Sequence, residues 1–209
     1  MAADPEIRRR DGAAALAALA EGVRASARLV RRLAGDRRGI VMVEFAYMLP
    51  VVATLVLGGV EFARYAMITQ KMDRVSGFVG DLVARAKSLE AADFDDYFAA
   101  AGQLAAPYDL MAGGNIIVSS VTGEAGGPRV LWQQVGPGSV AAPSAVGIPG
   151  AAAVLPAGFV LGVDENIVVT EVFFDFEPMF VPAAFVDADL LRFRSVYRPR
   201  TTAVLAMQQ

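Results

Sequence analysis

The residues with the most distinctive chemistry lie near the N-terminus, where a glycine precedes a carboxylate by five positions. Gly39 follows the basic pair Arg37-Arg38, and Glu44 lies inside an otherwise apolar run. An ionised side chain at the centre of a bilayer costs roughly 3 kcal/mol, so such an acid needs a partner. Glu44 is therefore the first candidate functional residue. A structural alternative is that its carboxylate simply reaches the lipid headgroups from near a helix end.

The composition excludes much catalytic chemistry. The chain has no His and no Cys, which removes Ser-His-Asp and Cys-His catalysis, HExxH zinc sites and disulfide bonds. We therefore predict a protein that is not an enzyme, with no catalytic, metal-binding or cofactor-binding residues. An envelope enzyme built on clustered acids in a cleft is an alternative that a structure would reveal.

Two other groups of charged residues have structural interpretations. Asp93, Asp95 and Asp96 are close in sequence, but no EF-hand spacing follows them. We interpret them as a solvated helix start rather than as a calcium site. Glu61 and Arg64 are three positions apart, which fits an exposed ion pair that marks the membrane interface on a helix.

The apolar run around Glu44 predicts a transmembrane helix. Residues 40–60 contain Glu44 as their only charged member. At a rise of about 1.5 Å per residue the run is long enough to cross a hydrocarbon core of about 30 Å. A cleavable secretory signal would have a shorter apolar core and no acid inside it. Pro50 removes one backbone hydrogen bond and should bend the helix.

Charge divides the chain at Gly39. Residues 1–39 include nine Arg and are positive overall, whereas residues 40–209 are acidic. This asymmetry predicts that the N-terminal flank is cytoplasmic, that the larger part lies outside the cytoplasm, and that nucleic acid is not a partner. The flank forms either a basic amphipathic helix on the membrane or a leader without fixed structure, and translation from Val23 or Val30 would shorten it.

Beyond the span, the sequence predicts an α+β fold. Apolar residues at spacings of three and four continue the helix over residues 61–90. Residues 91–209 follow as a periplasmic α+β domain, with a Gly/Pro-rich loop at 136–158 of a type that is usually functional or disordered. The whole indicates a long N-terminal helix, its first half transmembrane, packed on a small antiparallel sheet of three to five strands.

Four segments rich in β-branched and aromatic residues are predicted as strands. The third is apolar on both faces over residues 167–169, which indicates a central strand. Its phenylalanines, with Phe180 beyond it, are predicted to fill the core against the long helix. The four segments are Asn115–Thr122, Arg129–Val135, Glu165–Phe176 and Leu191–Arg198.

The segment RRGIVMVEFAYMLPVVATLVLGGVEFARY, residues 37–65, resembles the type IV pilin and pseudopilin superfamily, and more closely the TadE-like subunits of tight-adherence (Flp) pilus systems. The resemblance includes Gly39, the pair Glu44-Phe45, Pro50 and the group from Glu61 to Arg64. Five later stretches resemble the periplasmic portion of TadE/TadG-type proteins more weakly: LWQQVG, VGIPG, LPAGF, ENIVVTEVFFDFEP and RPR. The leader is long for the family.

The resemblance implies how the N-terminus is processed. In this family a prepilin peptidase cuts after the glycine, which would make Gly39 the last leader residue and Ile40 the new N-terminus. Glu44 and Phe45 then match the acid at the fifth mature position and the aromatic residue that follows it, a pair implicated in processing and assembly. The new ammonium group at Ile40 can be matched by Glu44 within one chain or from a neighbouring subunit.

The resemblance also implies a function. We expect a pseudopilin or minor pilin that acts in assembly of a Flp/Tad-type IV pilus, and hence in adhesion. The expected partners are a prepilin peptidase, other pilin and pseudopilin subunits, the inner-membrane assembly platform and membrane lipid. The expected location is the bacterial inner membrane, crossed once with the C-terminal domain in the periplasm. An uncleaved signal-anchored periplasmic scaffold of the secretion complex is the alternative.

Overall fold

The computed structural model describes residues 19, 21–32, 34–35, 39–86, 88–156, 158–180 and 189–199. The chain divides into two compact units, Met1–Leu55 and Val56–Gln209. All of the predicted leader before residue 19 lies outside the described residues, and so does the basic pair Arg37-Arg38. Residues 21–32 are helical and exposed, which agrees with the helical interpretation of this part of the basic flank.

The first long helix, α1, spans Ile40–Arg85 and contains Pro50 in its interior. It begins directly after Gly39, whose carbonyl oxygen accepts a hydrogen bond from the amide of Val43 at 3.1 Å. Because proline has no N–H group, the turn at Pro50 lacks one helical hydrogen bond. The hydroxyl of Thr54 donates to the carbonyl oxygen of Pro50 at 2.8 Å. The predicted continuation to residue 90 is five residues too long, since α1 ends at Arg85.

The N-terminal part of α1 is apolar and uncovered. All described residues from 40 to 60 are exposed. The helix contains an 18-residue window with a mean hydropathy of 2.2, none of which is buried. Among the described residues, α1 is the one helix that is long and apolar enough to cross a membrane. An exposed surface of this kind is unfavourable in water and stable in lipid, so the helix indicates membrane anchoring.

Two shorter helices follow. Helix α2 spans Ala91–Ala105 and helix α3 spans Leu110–Gly113. At the start of α2 the Asp93 carboxylate accepts from the amide of Glu90 at 2.8 Å, and the Glu90 side chain accepts in return from the amide of Asp93. This reciprocal capping box confirms that the acids near Asp93 mark a helix start.

The predicted α+β fold is confirmed by a sheet of four antiparallel strands in the order β2-β1-β3-β4. All four predicted strands are present, and their ends differ from the predicted ones by at most two residues. The third is a central strand, as its apolar faces indicate. The strands are β1, Gly114–Glu124; β2, Gly127–Val135; β3, Asn166–Phe176; and β4, Asp189–Tyr197.

One face of the sheet packs against the helices. Met72, Val75 and Val79 of α1 are fully buried there. They share one core with residues of α2 and of the sheet, chiefly Phe94, Phe98, Ile116, Val118, Val168, Val172, Phe174 and Phe176. The spacing of three and four that predicted the helix beyond residue 60 is therefore the spacing of its buried face.

The other face is covered by the irregular chain after β2. Val146 and Ala153 from the Gly/Pro-rich loop pack with Val121, Val130, Ile167 and Val169 of the sheet in a second core. The fully buried carboxylate of Glu171 accepts hydrogen bonds from the Ser144 hydroxyl at 2.5 Å and from the Ala145 amide at 3.1 Å. The loop is thus fixed to the sheet by a buried acid as well as by apolar packing.

Candidate functional site

The predicted processing site lies at the start of α1. A Cβ atom added to Gly39 would meet no heavy atom within 4 Å, so nothing in the described part of the chain requires a glycine there. Phe45 is exposed, as are Ile40 and Glu44. Residues 39–45, all of which the structure describes, are therefore exposed in the chain.

Glu44 lies on the exposed part of α1, and its charged partners are considered only among the residues that the structure describes. None of the ion pairs among the described residues includes it, and its neighbours on α1 are exposed apolar side chains. In a helix, residues four apart lie one above the other on the same face. Ile40 and Glu44 have this spacing, so a positive charge at the backbone nitrogen of Ile40 would lie about one turn from the carboxylate.

The second acid of α1, Glu61, has a different environment. It is only 7% exposed, and its Oε2 accepts hydrogen bonds from the backbone amides of Met179 at 2.9 Å and Phe180 at 3.0 Å. Its Oε1 forms an ion pair with Arg64 at 3.1 Å. The predicted pair exists, but its predicted exposure is wrong for Glu61, because the chain after β3 covers it.

Arg64 completes the attachment of this chain segment to α1. Its Nη1 also donates to the carbonyl oxygen of Glu177 at 2.7 Å, and its guanidinium lies 5.2 Å from the ring centroid of Phe176. Tyr65 packs edge-on against the same ring at 5.3 Å. We call residues 177–180, which follow β3, the docking turn. Glu61 and Arg64 bind this turn through three backbone groups.

The environment of Glu61 also sets its ionisation. Burial alone would raise the pKa of its carboxyl group. The amides of Phe180 and Met179 and the guanidinium of Arg64 outweigh burial, and the pKa lies below its ordinary value. Each of these donors favours the charged form. Glu61 is therefore a structural carboxylate that is ionised at neutral pH.

Local sequence rules could not find the docking turn, because its residues are more than a hundred positions from Glu61. The buried Glu171 was missed too, although it carried a signal. An acid in the middle of a strand that is apolar on both faces must have partners. The Arg194 guanidinium from β4 is one of them, at 3.4 Å.

No metal centre emerges from these groups. Within the described ranges, no three His, Cys, Asp or Glu residues are placed so that they could hold a metal ion. Asp93 is used in the cap of α2.

A family model described as TadE-like protein matches residues 39–77. The match begins at Gly39 and includes Glu44, Phe45, Pro50, Glu61 and Arg64. The resemblance seen in the sequence is thereby confirmed for this segment, which is TadE-like. No curated protein matches the chain, and no solved structure matches it.

Proposed function

We propose that this chain, TadE-like over residues 39–77, is a non-enzymatic pseudopilin or minor pilin that acts in assembly of a Flp/Tad-type IV pilus. A prepilin peptidase would remove residues 1–39 on the cytoplasmic side of the inner membrane. The mature protein would start at Ile40, cross the membrane through the apolar part of α1, and place the sheet in the periplasm.

One observation carries the proposal: Glu44 is an acid on an uncovered apolar helix surface with no ion-pair partner among the described residues. A charge in lipid requires a matching charge or a polar surface. Cleavage after Gly39 creates one, because it leaves an ammonium group at Ile40, one helical turn from the carboxylate. A neighbouring subunit could offer the same group when subunits assemble.

The surroundings of Gly39 support a role that depends on another molecule. A glycine is often required by a tight turn or by close packing within its own chain. Neither applies at Gly39, where added atoms would have open space. A peptidase that must bring its catalytic groups against the backbone supplies a reason for a residue without a side chain.

The part of α1 beyond residue 60 shares a core with α2 and the sheet, so the proposed periplasmic part is a folded body on which partners could dock. The proposed partners are the peptidase, other pilin and pseudopilin subunits, the assembly platform of the inner membrane and lipid.

The test is N-terminal sequencing of the membrane-bound protein from cells that express the peptidase, with two variants that act at different steps. The native protein should begin at Ile40. Gly39→Leu should remain at precursor size, because its side chain obstructs the peptidase. Glu44→Gln should be cut and should remain in the membrane, but it should fail to support piliation since the charge that matches the new ammonium is lost.

The outcomes separate the proposal from its alternative. A native protein that still carries residues 1–39 would establish the uncleaved scaffold instead. A Gly39→Leu band at mature size would contradict the role of the glycine. Normal piliation by Glu44→Gln would remove the role of the acid in assembly.

A further inference from the structure

The docking turn contacts α1 through backbone groups, and the side chains of its Met179 and Phe180 take no part in the hydrogen bonds to Glu61. Met179 is 65% exposed and Phe180 is 43% exposed, although the backbone amides of both donate to the buried carboxylate of Glu61. The structure therefore fixes the backbone of two large apolar residues while leaving much of their side chains exposed. Exposed apolar residues are common on protein surfaces, so the feature that distinguishes these two is their attachment beside the end of the apolar run of α1.

The attachment point sets the height of the turn along α1. Glu61 is the first residue after the apolar run 40–60. Its carboxylate lies within 3.0 Å of both amides, so the turn lies within roughly one helical pitch of about 5.4 Å from residue 61. The backbone of Met179 and Phe180 is therefore held beside the residue at which the apolar run ends.

That height corresponds to the boundary of a bilayer. A hydrocarbon core of about 30 Å requires about 20 helical residues, and each headgroup layer adds roughly 5–8 Å. If residues 40–60 fill the core, residues 61–65 pass through the headgroup layer. Phe62, which is 72% exposed, is at the same level, and membrane-surface helices bury Phe and Leu side chains at this headgroup–acyl boundary.

We propose that the docking turn is a second membrane contact, in which Met179 and Phe180 insert into the headgroup region of a phospholipid surface while Glu61 and Arg64 hold the turn at that depth. The sheet domain would then be tied to the membrane at two points instead of one, which limits its tilt relative to the membrane surface. The proposal rests on the membrane placement of α1 in the proposed function, but it does not depend on cleavage after Gly39.

The absence of Cys from the chain makes the test direct, because a single introduced cysteine is the only thiol to label. The full chain with Met179→Cys carries a nitroxide label and is reconstituted in vesicles of phosphatidylethanolamine and phosphatidylglycerol. Collisions of the label with lipid-soluble oxygen and with a water-soluble nickel chelate are then compared. Leu57→Cys in the span is the lipid reference, and Val160→Cys, an exposed position in the sheet domain, is the water reference.

The Met179 label should show an oxygen-to-nickel ratio several-fold above that of Val160 and below that of Leu57. A ratio equal to that of Val160, with Leu57 in lipid, would overturn this inference alone. If the Leu57 label is in water as well, the membrane placement fails together with the proposed function. Protection of the Met179 label from both reagents would also overturn the inference, because a second protein surface would then cover the turn.

A further variant tests the role of Glu61. Glu61→Ala in the Met179→Cys protein removes the acceptor of both amides and should lower the ratio towards the Val160 value. Glu61→Gln retains an acceptor oxygen and should lower the ratio less. Circular dichroism checks that both variants keep the sheet. An unchanged ratio in a folded Glu61→Ala protein would show that another contact sets the depth of the turn.

Discussion

The two parts of helix α1 share one secondary structure but differ in what covers them. From Ile40 to Val60 the side chains are apolar and exposed, whereas beyond Glu61 one face is buried against the sheet. Their acids differ in the same way. Glu44 is exposed and has no ion pair with any described residue, while Glu61 is buried and bound by three groups.

The difference shows that the function of an acid in this helix follows from its environment and not from its residue type. Glu61 is satisfied inside its own chain, so its role is to fix the sheet domain to the helix. Glu44 forms no ion pair with any described residue, and in the proposed function its partner is the ammonium group at Ile40 or a group of a neighbouring subunit. The same distinction between a covered and an uncovered surface should hold for apolar residues and for glycines.

The largest expected effect compares two methionines of α1. Met72 is fully buried and Met42 is 75% exposed. Met72→Ala should lower the free energy of unfolding of the sheet domain by about 2–5 kcal/mol, because it leaves a cavity in the first core. Met42→Ala should change it little. Both free energies are measured by denaturant titration of the full chain in detergent, with the fluorescence of Trp132, whose ring contacts Phe94 in the core, as the signal. Equal losses of stability in the two variants would contradict the division of the helix.

A smaller loss of stability is expected when a side chain is added at Gly80 of α1, with Gly58 as the comparison. A Cβ at Gly80 would lie 2.8 Å from Tyr197 Cδ2 and 2.9 Å from Ser195 Oγ, whereas a Cβ at Gly58 would meet nothing within 4 Å. Gly80→Val should therefore destabilise the sheet domain by about 1–3 kcal/mol through overpacking. Gly58→Val is the matched control in the uncovered part. If the two variants unfold at the same denaturant concentration, α1 does not pack on β4 as described.

Much of the fold was predictable because the signals were local. Beyond residue 60 the apolar side chains of α1 recur at spacings of three and four, which predicts its buried face. The strands are bounded by turn residues, which predict their ends. The predicted end of α1 was five residues too late. The capping box of Glu90 and Asp93 starts a new helix there, but the apolar residues before it keep the spacing of a continuing helix.

The TadE-like match was predictable because its sequence pattern is contiguous. Gly39, Glu44 and Phe45 lie within seven residues, and the segment that contains them is TadE-like. The core assignment of the phenylalanines was right for Phe174 and Phe176, but Phe180 is 43% exposed. The burial of Glu61 depends on a turn that comes after three intervening strands, and no local rule specifies which chain segment will cover a given helix face.

The smallest expected effect is a pH dependence that separates Glu61 from other acids. Its pKa in the folded protein lies below the ordinary value of 4.5, so the folded state favours its charged form. The contribution to stability is then present above the unfolded-state pKa and is lost as the pH falls through the folded-state pKa.

The stability difference between the native protein and Glu61→Gln should be constant near neutral pH and should shrink below about pH 4.5. Glu177→Gln, which keeps the backbone carbonyl that Arg64 uses, is the matched control for removal of a carboxylate from the same turn. A constant difference between native and Glu61→Gln protein down to about pH 3 would mean that the docking turn does not hold the ionised acid, and the contrast with Glu44 would lose its physical basis.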